Sequence, residues 1–183
     1  MTKGEHILTG TAGVYYVMFE LARRGFHAAC THGNAPTVDI LVSSVDGTRR
    51  VNIQVKTSRY ATRFRGRGNA KTVSKLDFTL GHAAARVNRK DLFFAFVDLT
   101  SHARLGRTDV YLIPSEFIFN WCKGWVDQVK MVRFQPEIAV VDPYLNEKGW
   151  QQLVTQVGTP EPPPPEEDLE SEAGSDVETT ASE

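Results

Sequence analysis

Residues 37–43 (Thr-Val-Asp-Ile-Leu-Val-Ser) and 50–57 (Arg-Val-Asn-Ile-Gln-Val-Lys-Thr) alternate apolar and polar positions on either side of Asp46-Gly47. Asp-Gly between β-branched strands is a strong short-range signal for a hairpin. A two-residue turn at Asp46 and Gly47 sets Val38 opposite Val55, Ile40 opposite Ile53 and Val42 opposite Val51, an apolar ladder on one face. A slip of one residue would mismatch both faces, so the register checks itself. On the other face Asp39 lies across from Gln54, with Lys56 one diagonal away. A carboxylate, an amide and an ammonium therefore fall within side-chain reach of one another. Leu41 and the Phe-rich segments elsewhere imply that this face is partly covered, and a covered face normally avoids such residues.

The stretch Pro36-Thr37-Val38-Asp39-Ile40-Leu41-Val42, followed by Ile53-Gln54-Val55-Lys56-Thr57, resembles the PD-(D/E)XK nuclease superfamily. It is most similar to the branch in which glutamine replaces the acidic residue of the second motif. The resemblance spans residues 10–115, from a helix ending in Arg-Arg-Gly-Phe to a basic segment after the hairpin. It implies an α+β fold: a restriction-endonuclease-like αβββαβ core with a mixed central sheet flanked by helices. It also implies a metal-dependent DNA endonuclease, in a restriction, phage-defence or repair context. Asp39, Gln54 and Lys56 would be catalytic. Asp39, Gln54 and the backbone carbonyl of Val55 would hold Mg²⁺ or Mn²⁺, and Lys56 would orient the attacking water. The family usually carries a glutamate directly after the glycine of the first helix. Here Val14 follows Gly13, and Glu20 lies about 240° further round a helix. The alternative is a catalytically impaired nuclease-fold module that binds nucleic acid or protein.

Charge is divided unevenly along the chain. Nine of the 22 acidic residues fall within residues 159–183, where no Lys or Arg occurs, so residues 1–158 carry all 21 basic residues against 13 acidic ones. A basic body favours a polyanionic partner. The expected partner is DNA, with RNA still open. Residues 58–75 concentrate the charge in Arg59, Arg63, Arg65, Arg67, Lys71 and Lys75, interleaved with Tyr60 and Phe64. No acidic residue occurs from Val51 through Leu76. Gly66, Gly68 and Asn69 make this segment a flexible phosphate-gripping loop in expectation.

Residues 1–158 are expected to form one nuclease-like domain, and residues 159–183 a disordered, Pro-rich acidic tail unable to bury enough apolar surface. Cys30 and Cys122 make neither a disulfide framework nor a metal-ligand spacing, which points to a reducing cytoplasm. No run of about 20 apolar residues is present to span a membrane. The five histidines show no paired ligand spacing. A homodimer is in keeping with enzymes of this fold that cut both strands.

The remaining elements follow from periodicity. A helix is expected over residues 11–24, with Ala12, Tyr15, Tyr16, Phe19 and Leu21 or Ala22 inward and Gly25 as its stop. Residues 1–10 carry no assignment. Strands are expected at 26–30, 92–97 and 109–113, with a last extended piece at Val140-Val141. Helices are expected at 82–88, from Pro114 through Trp121, and over 143–154.

Overall fold

The structure, a computed structural model, describes residues 2–31, 37–68, 72–101 and 107–158. The expected acidic tail and Lys71 lie outside the described residues.

The chain opens with α1 (Lys3–Ala22), capped by Thr2, whose hydroxyl accepts the Glu5 N–H while the Glu5 carboxylate accepts the Thr2 N–H. This reciprocal Thr-x-x-Glu box starts the helix eight residues before the expected point. Next come β1 (His27–Cys30), β2 (Ile40–Ser43), β3 (Arg50–Ser58), β4 (Arg63–Arg65), β5 (Thr72–Lys75) and β6 (Phe78–Thr79). The short α2 (His82–Ala85) leads to β7 (Leu92–Ser101), β8 (Arg107–Pro114) and α3 (Ser115–Cys122). The chain continues with β9 (Arg133–Phe134), α4 (Ile138–Val141) and α5 (Glu147–Val157). Val140-Val141, expected as extended, thus closes a helical turn. The terminal helix begins four residues late, because a 3-10 turn (Asp142–Tyr144) precedes it. No helix among the described residues is long and apolar enough to cross a membrane.

Five strands form one sheet in the order β1-β2-β3-β7-β8, with β3 and β7 parallel and the other neighbours antiparallel. This is the expected α+β class: a mixed sheet flanked by helices. Val51, Ile53 and Val55 of β3 point to one face, where Val17 and Leu21 of α1 and Trp150, Leu153 and Val157 of α5 cover them. Phe94 and Phe96 of β7 point to the other, packed with Phe78, Ile118 and Phe134. Phe96 stacks on Phe134 with ring centroids 4.7 Å apart.

The inward face of α1 differs from the expected one. Gly13, Val17 and Leu21 recur every fourth residue against the sheet, whereas Tyr15 and Phe19 are 67% and 59% exposed. A Cβ on Gly13 would sit 1.9 Å from Thr57 Oγ1, so the missing side chain lets α1 close on β3. Glu20 is buried on α1, held by Arg23 at 3.0 Å and by Arg24, whose guanidinium lies 4.9 Å over the Trp150 ring. Burial pushes the Glu20 carboxyl up, but the hydrogen bond from Arg23 and the charge and hydrogen bond of Arg24 outweigh it and leave it below its ordinary value. Glu20 thus joins α1 to α5.

Candidate functional site

The central hairpin keeps the expected register, with Ile40 opposite Ile53 and Val42 opposite Val51. The reversal itself is a four-residue loop, closed by Ser44 N–H to the Arg49 carbonyl at 3.0 Å. A four-residue loop and a two-residue turn centred on the same bond share one register, which is why the pairing survives the difference. Asp46 organises the loop by accepting from the Ser44 hydroxyl and the Thr48 N–H and hydroxyl, and these bonds bring its carboxyl down to about 2.

At its other end the ladder stops early. Thr37 has φ 75°, a left-handed conformation that costs a β-branched residue roughly 1–2 kcal/mol. The expected Val38–Val55 pair does not form, and β2 begins at Ile40. Asp39 fills the gap. Its N–H donates to the Ile53 carbonyl at 2.9 Å, and its carbonyl accepts the Thr31 N–H at 2.9 Å. Its Oδ2 accepts the Val55 N–H at 2.7 Å, taking the role a strand carbonyl would have played. The second oxygen, Oδ1, accepts no hydrogen bond among the described residues. In a strand the N–H and C=O of one residue point to the same edge. The Val55 carbonyl therefore faces the side on which Asp39 sits.

Asn52, Gln54 and Lys56 project from β3 onto the face opposite α1, beside Leu92, Phe94 and Phe96 of the parallel neighbour. Gln54 Oε1 is buried and has no hydrogen-bond partner among the described residues. Leaving a buried acceptor unsatisfied costs about 1–3 kcal/mol. Lys56 is half-buried next to Phe96. Burial lowers its pKa and the charge of Asp39 partly opposes that shift, so the ammonium and the carboxylate act on each other. Asp39 and Lys56 thus lie within electrostatic reach of each other, and Gln54 projects from the same face of β3 as Lys56, while the expected pairing of Asp39 with Gln54 falls outside the ladder, which ends at Ile40 and Ile53.

Val14 packs into the apolar layer beneath α1, on the opposite face from Lys56, and Glu20 is committed to its arginines. Among the described residues no three His, Cys, Asp or Glu side chains group together as a metal cage. The candidate donors, Asp39 Oδ1, Gln54 Oε1 and the Val55 carbonyl, are all oxygens. That chemistry suits a hard cation such as Mg²⁺ or Mn²⁺. With one formal charge among them, the set fits such an ion only in part and leaves room for anionic ligands from a substrate.

Within the basic segment Arg63–Arg65 (β4) pairs with Thr72–Lys75 (β5), so these two stretches form a β-ladder, and Gly66 and Gly68 take φ 97° and 57°. Asp98 anchors its base, with Oδ1 accepting the Ala61 N–H at 3.1 Å and Oδ2 the Thr62 hydroxyl at 3.0 Å. Asp98 lies two residues beyond Phe96 on the same strand face, so the ladder springs from the end of the sheet where Lys56 sits. Its cations are not equivalent. Arg59, Arg65 and Arg67 are exposed and make no ion pair among the described residues. Arg63 Nε is 2.9 Å from Asp77, which Arg133 also contacts at 2.7 Å. Burial pushes the Asp77 carboxyl up, yet hydrogen bonds from Arg133, Gln135 and Arg63 outweigh it and hold it low. Lys75 is half-buried and bridges to Glu137 through the backbone.

Sequence reasoning overlooked two supports of this site. Asp98 was visible as an acid ending an apolar strand, Leu-Phe-Phe-Ala-Phe-Val-Asp. The contact between Gly13 and Thr57 left no local signal, since it joins residues far apart in the chain. No protein-family model, curated protein or solved structure matches this chain.

Proposed function

We propose that the protein is a metal-dependent DNA endonuclease that hydrolyses phosphodiester bonds. The observation that carries this reading is the position of Asp39: its carboxylate is fixed on the Val55 N–H, and its charge acts on Lys56. Asp39, the Gln54 amide oxygen and the Val55 carbonyl would hold Mg²⁺ or Mn²⁺. Such an ion, when bound, supplies charge neutralisation at phosphate and a more acidic water. Lys56 donates from a partly desolvated ammonium, aimed where negative charge develops on the phosphate oxygens. Its lowered pKa also lets it give up a proton more readily than a solvated lysine. Arg59, Arg65 and Arg67 grip the flanking phosphates. Free Cys30 and Cys122 agree with a cytoplasmic setting.

A second reading is a module of this kind that binds nucleic acid without cutting it. It is favoured by the single carboxylate among the donors and by Val14 on the far face. Nicking of supercoiled plasmid with Mg²⁺ or Mn²⁺ separates the two. The endonuclease reading expects nicking that drops roughly 10²–10³-fold in Asp39→Ala and Lys56→Ala. Salt-dependent DNA binding without nicking selects the second reading, and no DNA binding at all refutes both.

A further inference from the structure

Helix α1 is apolar on two sides. Between Glu5 and Glu20 it holds no Asp, Glu, Lys or Arg, where a helix with a water-facing side normally places its charges. One side, Gly13, Val17 and Leu21, is buried on the sheet. About 170° round the helix, Leu8, Ala12, Tyr15, Phe19 and Ala22 form a second stripe, and all five are exposed. Leu8 is 70% exposed, and Ile7 beside it 61%. The stripe alternates steps of four and three residues, the spacing of a seam between two helices.

This stripe is complementary to itself when two copies of α1 run antiparallel. Setting Leu8 opposite the partner's Phe19 sets Ala12 opposite the partner's Tyr15, so a small side chain faces a large one at the centre and each layer repeats by symmetry. The same register brings Glu5 beside the partner's Arg23 at both ends. Glu5 and Arg23 lie about five whole turns apart, so they project to one flank of the helix and meet on one flank of the pair. A parallel pair would instead set like charges together. Arg23 holds Glu20 through Nε and Nη2, and its Nη1 donates to no acceptor among the described residues. The area is adequate. Tyr15 and Phe19 each leave roughly 100–150 Å² uncovered, and with Leu8 and Ile7 the stripe offers on the order of 500 Å² per copy. Two copies then hide about 1,000 Å², where specific interfaces begin. A helix lying on a membrane would border its apolar stripe with Lys or Arg, and residues 6–19 hold neither.

We propose that two copies of this chain associate through α1, antiparallel, about a two-fold axis that crosses the helices between Ala12 and Tyr15. An interface of this size corresponds to a Kd on the order of 1–100 µM. Each sheet then lies behind its own α1, while Gln54 and Lys56 project from the sheet face away from α1. The two candidate sites therefore open on opposite outer sides of the pair, each whole within one copy and each able to take a separate duplex. This consequence, unlike the dimer, rests on the proposed function.

Sedimentation equilibrium of the full chain, from about 1 to about 500 µM, is expected to show monomer and dimer in exchange. Tyr15→Glu and Phe19→Glu should each weaken the dimer about 100-fold or more by burying an unpaired charge. Both side chains are exposed, so the urea midpoint should barely move. A chain that stays monomeric throughout, or a dimer that both variants leave intact, overturns the proposal. A monomer that cosediments with phosphatidylcholine vesicles marks a lipid-facing helix and overturns it too. Disulfides read the orientation in a Cys30→Ser background, where Cys122 stays buried. Leu8→Cys and Phe19→Cys chains, mixed and oxidised, are expected to join chiefly to each other. Joining of each chiefly to itself marks a parallel pair and overturns the arrangement. Tyr15→Glu should nick plasmid at the parent's rate per chain, and a loss of nicking with the loss of the dimer overturns the outward placement of the sites. Absence of nicking in both sinks the endonuclease reading, while sedimentation and disulfides still decide the dimer.

Discussion

Replacing Gly13 by alanine tests how α1 is seated on the strand that carries Lys56. In an ordinary helix interior this change is favourable by about 1 kcal/mol. Here the new methyl would stand 1.9 Å from Thr57 Oγ1 and 2.8 Å from both Thr57 Cβ and Cγ2, whereas ordinary contact begins at 3.4 Å. Relief requires α1 to withdraw by about 1.5 Å, and gaps of even 0.5–1 Å forfeit a quarter to a half of each dispersion contact. Val17 and Leu21, both fully buried, share that interface. Overpacking of this kind costs about 1–3 kcal/mol, so Gly13→Ala is expected to lose about 2 kcal/mol overall. For a chain of this size that lowers Tm by roughly 4–8 °C. Thr57→Ala removes a hydroxyl with no partner among the described residues along with a methyl group and is expected to be nearly neutral. The two changes should then couple: urea denaturation of the single and double variants would show Gly13→Ala costing about 1–2 kcal/mol less in the Thr57→Ala background. A Gly13→Ala variant as stable as the parent, or equally costly in both backgrounds, would refute the packing argument.

Other perturbations address the site and its supports. Lys56→Met is expected to stabilise the fold by about 1 kcal/mol while abolishing nicking, since it removes a charge held in a desolvated position. The sign follows from linkage: a lysine with a lowered folded pKa binds fewer protons folded than unfolded, so stability rises with pH from that pKa up to 10.5. Lys56→Met should flatten that part of the pH profile. At Asp98, burial raises the carboxyl pKa, so the folded form holds its proton longer and stability falls as pH rises from 3.8 through the raised value. Asp98→Asn should remove this slope, its amide oxygen still accepting the Ala61 N–H and its NH₂ donating to the Thr62 hydroxyl in a reversed bond, whereas Asp98→Ala should cost about 1–3 kcal/mol by orphaning the Ala61 N–H. Arg65→Ala and Arg67→Ala should each weaken DNA binding and reduce the salt slope by about 1, as expected for phosphate contacts. Arg63→Ala should change DNA binding less and stability more, because its guanidinium is held by Asp77.

The hairpin was legible because alternation and register are local properties of strands. Ile40, Val42, Val51 and Ile53 landed where their pattern put them, and with them the side on which Gln54 and Lys56 project. What periodicity misassigned were positions decided by distant partners. Tyr15 and Phe19 are apolar enough to read as buried, but α1 presents Gly13 and Val17 to the sheet because only a residue without a side chain clears Thr57. Val140 and Val141 have the composition of a strand, yet they find no strand to pair with and close a helical turn. The basic segment read as a loop because its glycines suggest flexibility, but Arg63–Arg65 and Thr72–Lys75 within it pair as strands. The T-x-x-E box at Thr2 was readable in the sequence and went unassigned.

Whether Asp39, Gln54, Val55 and Lys56 form one cation and phosphate site is tested most directly by paramagnetic broadening of amide signals with Mn²⁺ in the presence of duplex DNA. Broadening centred on residues 39 and 54–56, weak without DNA and absent in Asp39→Ala, is the expected result. Broadening centred on Asp98 and Asp109 instead, or a pattern unchanged by Asp39→Ala, would contradict it.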